Sequence, residues 1–299
     1  MVVLVMNGYV SLCERRVLAI VQIRVGPALF LFGILTPITD GVKLFVKFVV
    51  FVVSFDIFYF ICFMFGVGCC MFVGWFFFPI GFIVMLDSAF TLFLMMILHL
   101  CSSILGTVCV GCFLFSSCFV YLSAVRTLFF SIITESVVFL LFICTYMLDM
   151  FSFFGIKDVC IGQLYLSNFY IAGVLFVGVF WVTMLLDGMK LPFDYTECES
   201  ELVCGLITEL SGVFFVIYSV LEISHLLLTT VLIASLCFGG LFVCFKAIII
   251  LVVGFFYPRV VGFRIKITTA QAFIILFLFF ITLFMFLWIS LTKILCILY

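Results

Sequence analysis

The stretch Ala272-Phe-Ile-Ile-Leu-Phe-Leu-Phe-Phe-Ile-Thr-Leu-Phe-Met-Phe-Leu-Trp-Ile-Ser-Leu291 decides the fold of this chain. No charged side chain occurs between Lys266 and Lys293. As a helix, about 20 such residues cross the hydrocarbon core of a bilayer. Of the 299 residues, 69% are hydrophobic and only 9% are charged, whereas a soluble domain is about 45–50% apolar and about 25% charged. The sequence therefore predicts an integral membrane protein rather than an unusually apolar soluble one.

The spanning elements are predicted to be helices. Backbone amides in hydrocarbon must be bonded within the chain, which leaves a helix bundle or a closed barrel. Barrel strands alternate apolar and polar residues, whereas the apolar runs here are continuous. We expect an all-α integral membrane protein, a single transmembrane helical domain over 1–299, with about eight spans. The spans are predicted at 1–21, 48–75, 88–114, 124–147, 165–186, 211–237, 239–256 and 271–296.

The basic residues favour this arrangement of spans. It places four charged segments on one face of the membrane: 14–47, 115–126, 187–210 and 257–270. They hold most of the 13 basic residues, namely Arg15, Arg16, Arg24, Lys43, Lys47, Arg126, Lys190, Arg259, Arg264 and Lys266. Toward the other face lie Lys157, Lys246 and Lys293. The positive-inside rule puts the four segments in the cytoplasm or mitochondrial matrix, with both termini opposite.

A short amphipathic helix is predicted in the first of these loops. Thr36 is a suitable N-cap, and Pro37 suits the first helical position. Its apolar stripe is predicted to hold Ile38, Val42, Phe45 and Val46, and its polar stripe Asp40, Lys43 and Lys47. Such a helix lies at the lipid surface or under a docked partner, and the sequence leaves both possibilities open.

Six carboxylates and a single Lys occupy the segment from Asp187 to Glu209, which is rich in charge for so apolar a chain. Glu197 and Glu201 are four residues apart, so on a helix they share a face and repel each other when both are ionised. Close carboxylates at a membrane surface titrate together, with some pKa values raised. The segment is therefore predicted to hold and release protons near neutral pH. The alternative is a solvated acidic loop.

Further ionisable residues lie inside predicted spans, where they are costly and usually functional. Glu135 and Glu222, with Glu209 at the loop, form a possible line of protonatable groups leading into the membrane. The role of Asp56 is open, because it has polar neighbours on its own helix. His99 and His225 are expected to be interior histidines satisfied by neighbouring groups, and their role is also open.

Other kinds of chemistry find no support in the sequence. It has no Gly-rich phosphate-binding loop and no zinc-spaced set of His and Cys residues. The 15 cysteines mostly lie singly in apolar runs, where they act as small hydrophobic residues. With a net charge of −1 and no basic arm, the chain is not expected to bind nucleic acid. We expect no metal, flavin or iron–sulfur cluster in this chain.

One block of sequence resembles a known family. The block Leu191-Pro-Phe-Asp-Tyr-Thr-Glu-Cys-Glu-Ser-Glu-Leu-Val-Cys-Gly205 is similar to the signature of membrane subunit 1 of respiratory complex I, the proton-pumping NADH:ubiquinone oxidoreductase. The first-loop residues Glu14-Arg-Arg16, Gln22-x-Arg24-x-Gly26-Pro27 and Gly33-x-Leu35-x-Pro37-x-x-Asp40-x-x-Lys43-Leu44 match the same family. Ala124-Val-Arg126 and Tyr257-Pro-Arg259 match it more weakly.

The resemblance implies eight core helices and a subunit of the enzyme without its own redox centre. It implies ubiquinone as substrate and a mitochondrial inner-membrane location, with the charged loops facing the matrix. The implied partners are membrane lipids and other subunits, including the quinone-site subunits of the hydrophilic arm and the adjacent small membrane subunits. The implied quinone-chamber residues are Arg24, Asp40, Lys43, Asp187, Lys190, Phe193, Asp194, Glu197, Glu199 and Glu201. The implied proton path comprises Glu135, Glu209 and Glu222.

The match to the family pattern has departures. Asp187 and Lys190 stand where the family has Glu and Arg, and Lys cannot make the bidentate contacts of Arg. Two other readings remain at this point: a stand-alone proton or cation carrier, and the homologous subunit of a membrane-bound hydrogenase. A carrier would be purified alone, whereas a complex I subunit would be purified with a large assembly.

Overall fold

A computed structural model of the chain describes most of its residues. The described residues are 2–27, 33–47, 57–76, 97, 99, 101, 118–148, 170–194, 205–208, 210–238 and 243–298. Within these ranges the chain is helical, with turns between the helices and no strand. The all-α prediction is therefore confirmed for this part of the chain.

The helices are numbered here in chain order. They are α1 (Val2–Val21), α2 (Thr36–Val46), α3 (Ile57–Phe76), α4 (Cys118–Leu148), α5 (Tyr170–Asp187), α6 (Val213–Phe238), α7 (Val243–Ile250), α8 (Tyr257–Val261), α9 (Ile267–Phe273) and α10 (Phe280–Leu298). Two π-helical segments join neighbouring α-helices into longer continuous helices. Leu251–Phe256 joins α7 to α8, and Ile274–Phe279 joins α9 to α10.

Among the described residues, four helical stretches are long and apolar enough to cross a membrane. They are Cys118–Cys144, Val213–Ala234, Cys244–Val261 and Ile267–Leu291. Two shorter apolar helices cover Phe60–Trp75 and Leu175–Asp187. Most of the predicted span 88–114 lies outside the described residues, although 97, 99 and 101 are helical. The count of eight spans therefore stays a prediction.

The structure corrects two local predictions. Helix α4 begins at Cys118, so Arg126 lies within the helix and not in a loop. The reason is that residues 118–124 contain neither Gly nor Pro to interrupt the helix. Thr36 is the first residue of α2 rather than its N-cap, which is Leu35. The Thr36 hydroxyl donates to the Gly33 carbonyl instead, over 2.7 Å.

The core is centred on α4, α5 and α6. Helix α4 packs against α5 and α10, and α6 packs against α1, α5 and α7. Buried apolar side chains fill the space between them, including Val137, Leu141, Met184 and Leu228. This packing brings the end of α5 and the middle of α4 against one face of α6.

Directly after α5, the backbone at Gly188 lies close to neighbouring side chains. A Cβ atom there would overlap the ring of buried Phe255 and lie 2.9 Å from Leu226 Cδ1. We expect Gly188→Ala to destabilise the protein by about 1–3 kcal/mol, as overpacking of a core typically does. The measurement is the temperature at which the intact assembly disappears from a native gel.

Gly178→Ala is the matched control for this prediction. Gly178 lies on α5 itself, and a Cβ atom there would meet nothing within 4 Å. Replacing a mid-helix Gly by Ala favours the helix, so this variant should be as stable as the unaltered protein or slightly more so. Equal stability of the two variants would contradict the packing argument at Gly188.

Candidate functional site

An ion pair joins the loop after α5 to the middle of α6. Lys190 Nζ lies 3.1 Å from Glu222 Oε1, and the two side chains are 20% and 21% exposed. Lys190 follows the end of α5 by three residues, while Glu222 lies well inside α6. Because both side chains are mostly shielded from water, their attraction is screened less than that of a surface pair.

One helical turn further along α6 lies a second polar layer. His225 is three residues after Glu222, so the two side chains are on one face of the helix. His225 Nε2 is 3.7 Å from Glu135 Oε1, and His99 Nε2 is 4.0 Å from Glu135 Oε2. The two imidazole rings are stacked, with centroids 4.2 Å apart and planes 10° from parallel. Glu135 thus faces two imidazoles that approach from different helices.

All three groups of this His99–Glu135–His225 cluster are buried. Glu135 has only 2% of its surface exposed. Apolar side chains of α4 and α5, among them Val138 and Phe180, lie close by. Since a buried charge is costly unless it is paired, the carboxylate and the imidazoles must compensate one another. The arrangement suits groups that share or exchange protons or bind a cation together.

Asp187 lies beside the buried cluster. It is the last residue of α5 and interacts electrostatically with both Glu135 and His225. The Thr134 hydroxyl of α4 lies within hydrogen-bonding reach of its carboxylate. Asp187 and His99 also line one small cavity, which has room for roughly one water molecule. Asp187 thus joins the end of α5 to the buried cluster.

The loop after Asp187 is fixed by contacts to the last loop. Phe193 is buried, and its amide donates to the Lys190 carbonyl over 2.9 Å. The Ile265 amide donates to the Pro192 carbonyl over 3.3 Å. Asp194 is partly buried beside this contact. The segments predicted to lie on one face, 187–210 and 257–270, therefore meet in their described parts.

The first helix reaches the same end of the bundle. Glu14 of α1 forms an ion pair with Arg259 of α8, and the Asn7 amide donates to the Val220 carbonyl of α6 over 3.3 Å. Among the first-loop residues predicted for the site, Asp40 pairs with Arg15 over 2.6 Å, with both side chains largely exposed. Arg24 and Lys43 are exposed as well.

Several predicted site residues lie outside the described part of the chain. They are Glu197, Glu199, Glu201 and Glu209, together with Asp56. Of the others, the structure pairs Lys190 with Glu222 and places Asp187 close to Glu135. The line of Glu209, Glu222 and Glu135 stays a prediction.

The meeting of the two histidines was not predicted from the sequence. His99 and His225 were each expected to be satisfied separately, yet both face the same carboxylate. The spacing of Glu222 and His225 is visible in the sequence and places both on one helix face. By contrast, nothing in the spacing of His99 and Glu135 indicates that they meet.

Comparisons with known proteins agree on one family. The family model described as NADH dehydrogenase matches residues 1–292. The chain is 69% identical over 299 residues to NADH-ubiquinone oxidoreductase chain 1 of Leishmania tarentolae, a match that covers 100% of this chain and 96% of the relative.

More distant relatives carry related names. NADH-ubiquinone oxidoreductase chain 1 of Mytilus edulis is 30% identical over 80% of this chain and 77% of its own length. An NADH-quinone oxidoreductase subunit of Neorickettsia sennetsu is 28% identical over 78% of this chain and 71% of its own length. Both relatives are thus named as parts of an enzyme that transfers electrons from NADH to a quinone.

Proposed function

The chain belongs to the NADH dehydrogenase family, and from this membership we propose that its charged end forms part of a ubiquinone chamber and begins an acidic path for protons. It is a core membrane subunit of NADH-ubiquinone oxidoreductase, respiratory complex I. In this proposal it contributes no redox centre, and the electrons reach the quinone through other chains of the complex.

The chamber and the path use different residues. The chamber is formed by Arg24, Asp40, Lys43, Asp187, Lys190, Phe193, Asp194, Glu197, Glu199 and Glu201. The path is formed by Glu135, Glu209 and Glu222. The observation that carries the proposal is the Lys190–Glu222 pair, which stands one turn from the buried cluster containing Glu135.

The geometry suggests how these residues act. Electrons that reach a quinone before its protons do leave negative charge on the quinone oxygens. In this proposal that charge develops next to the loop after α5. Lys190 can then form an ion pair with the quinone anion, because an ammonium group on a flexible stem can turn away from Glu222. Glu222 then loses its partner and gains affinity for a proton. His225 lies one turn further along α6, and it interacts with both Glu135 and Asp187, so in this proposal the change of charge at Glu222 passes on to Glu135.

The surroundings of the site follow from the same proposal. Helix α2 exposes Ile38, Val42 and Phe45, and this apolar side would rest on lipid or on a neighbouring subunit. The protein would lie in the mitochondrial inner membrane with its charged loops facing the matrix. There it would contact the quinone-site subunits of the hydrophilic arm and the adjacent small membrane subunits.

The test of this function is Glu222→Gln in the assembled complex. We expect NADH:ubiquinone turnover and proton pumping to fall by roughly tenfold or more, because an amide cannot transfer protons as the carboxylate does. NADH oxidation with a hydrophilic electron acceptor that bypasses the quinone should remain and would report intact assembly.

Ser219→Ala serves as the control. Ser219 lies one turn away on α6, is also partly buried, and its hydroxyl donates to the Val216 carbonyl of its own helix over 3.0 Å. This variant should retain full turnover. If the assembled Glu222→Gln complex kept its turnover and its pumping per electron, the proposed path through Glu222 would be wrong.

A further inference from the structure

We propose that His99, Glu135 and His225 form a binding site for a divalent transition-metal ion of the zinc class. Two imidazole nitrogens and one carboxylate converge here, and one ligand atom from each residue lies within 4.8 Å of the others. The three residues come from separate parts of the chain, so the fold and not a local motif creates the set. Neither the family match nor the proposed proton path requires such a site.

The donor atoms fit this class of ion. Zinc binds imidazole nitrogen and carboxylate oxygen at about 2.0–2.2 Å, so two ligands of a tetrahedral site are separated by about 3.3–3.6 Å. The observed N···O distances of 3.7 and 4.0 Å are slightly longer and shorten when an ion binds. Magnesium and calcium prefer sets made of oxygen atoms, whereas imidazoles favour zinc, copper and nickel.

Binding requires one ring to turn. The lone pair of an imidazole nitrogen lies in the ring plane, and the two rings are only 10° from parallel. Their lone pairs therefore point side by side rather than at a common point. The small cavity that His99 lines with Thr183 and Asp187 takes up part of the His99 ring when the ring turns. Asp187 lines the same cavity, so its carboxylate is the fourth ligand.

The charges around the cluster also suit a divalent ion. With neutral imidazoles, the ion and the Glu135 carboxylate would leave one positive charge in a buried place. Asp187 interacts electrostatically with Glu135 and His225 and would neutralise that charge when ionised. A buried site with no net charge avoids much of the cost of transferring ions out of water.

Occupation of the site would have a consequence that rests on the proposed function. An ion bound to Glu135 holds its carboxylate ionised and competes with protons for it. The ion would therefore inhibit turnover by interrupting the path. Binding of the ion does not depend on this consequence and is measured separately.

The test counts zinc in the purified complex. The complex is treated with a chelator, equilibrated with buffered Zn²⁺, and analysed for metal by mass spectrometry. We expect the unaltered complex to bind one more zinc ion than the double variant His99→Asn/His225→Asn. Zinc should also inhibit turnover of the unaltered complex more strongly than it inhibits whatever turnover the double variant retains.

Cys101→Ser is the control for a competing site. Cys101 follows His99 by two residues, and its thiol interacts with that of Cys70, so these soft ligands offer another place for zinc. This variant should bind as much zinc as the unaltered complex. Equal zinc in the unaltered complex and the double variant would overturn the proposal, and so would loss of the ion in Cys101→Ser alone.

Two further readouts keep the outcome decisive. If the double variant does not assemble, X-ray absorption at the zinc edge replaces that comparison. The spectrum of the chelator-treated unaltered complex is subtracted from the spectrum of the zinc-loaded unaltered complex. Imidazole and oxygen neighbours at about 2.0–2.2 Å support the site, and sulfur alone at about 2.3 Å overturns it. Zinc that binds to the unaltered complex but not to the histidine variant, and that does not inhibit turnover, would support the site. The same result would contradict the proton-carrying role of Glu135.

Discussion

We expect Glu135→Gln to lower NADH:ubiquinone turnover and proton pumping by about a hundredfold, the lower end of what loss of a proton-transferring group costs. Glutamine has nearly the size of glutamate, so the packing around a side chain that is only 2% exposed is preserved. What disappears is a carboxylate that faces His99, His225 and Asp187. The measurements are the rate of quinone reduction and the rate of acidification of the vesicle interior, both in proteoliposomes containing the complex.

The neighbouring Ser136 provides the control for this variant. Its side chain is partly buried, and its hydroxyl donates to the Ile133 carbonyl of the same helix over 2.7 Å. Ser136→Ala should therefore pump at the normal rate. A Glu135→Gln complex with unchanged pumping per electron would show that protons bypass the cluster.

We expect Arg259→Gln to destabilise the assembled protein by about 2 kcal/mol. The ion pair of Arg259 with Glu14 is mostly shielded, with side chains 16% and 21% exposed. Removing one partner of a fully buried pair costs roughly 3–5 kcal/mol, because the other charge is left uncompensated, and the partial exposure here reduces that cost. The expected result is a lower temperature for loss of the intact complex in a heating series.

The double variant Glu14→Gln/Arg259→Gln should be more stable than Arg259→Gln alone. It should regain most of the stability that Arg259→Gln loses, since neither charge is then left without its partner. Arg15→Gln is the matched control, because the side chains of the Arg15–Asp40 pair are 60% and 46% exposed. Surface pairs contribute about 0–1 kcal/mol, so an equal loss in Arg15→Gln and Arg259→Gln would contradict the argument.

The sequence predicted the class of the fold because hydrophobic length alone determines it. The apolar run at 271–296 corresponds to the described span Ile267–Leu291. The beginning of α4 at Cys118 was missed, because the lack of Gly and Pro in 118–124 permits a helix that continues beyond the membrane surface but does not require one. The π-helical segments were missed as well, since Leu251–Phe256 is ordinary apolar sequence.

The candidate site was predictable to the extent that its residues share a helix or a loop. Glu222 and Lys190 were both singled out by their charge in an apolar chain, and the structure pairs them. The position of His99 beside Glu135 depends on packing between distant segments, which helical periodicity does not encode. The remaining acids of the loop, Glu197, Glu199 and Glu201, stay predictions.

The contacts of α1 bear on how the protein is made. Asn7 binds Val220 and Glu14 pairs with Arg259, so both partners are synthesised long after α1 itself. Chains fold from the N-terminus as they emerge, and contacts between distant segments form late. During biogenesis Glu14 can form its pair with Arg259 only after more than 200 further residues have been made. A helix that is translated early is thus among the last to reach its final neighbours.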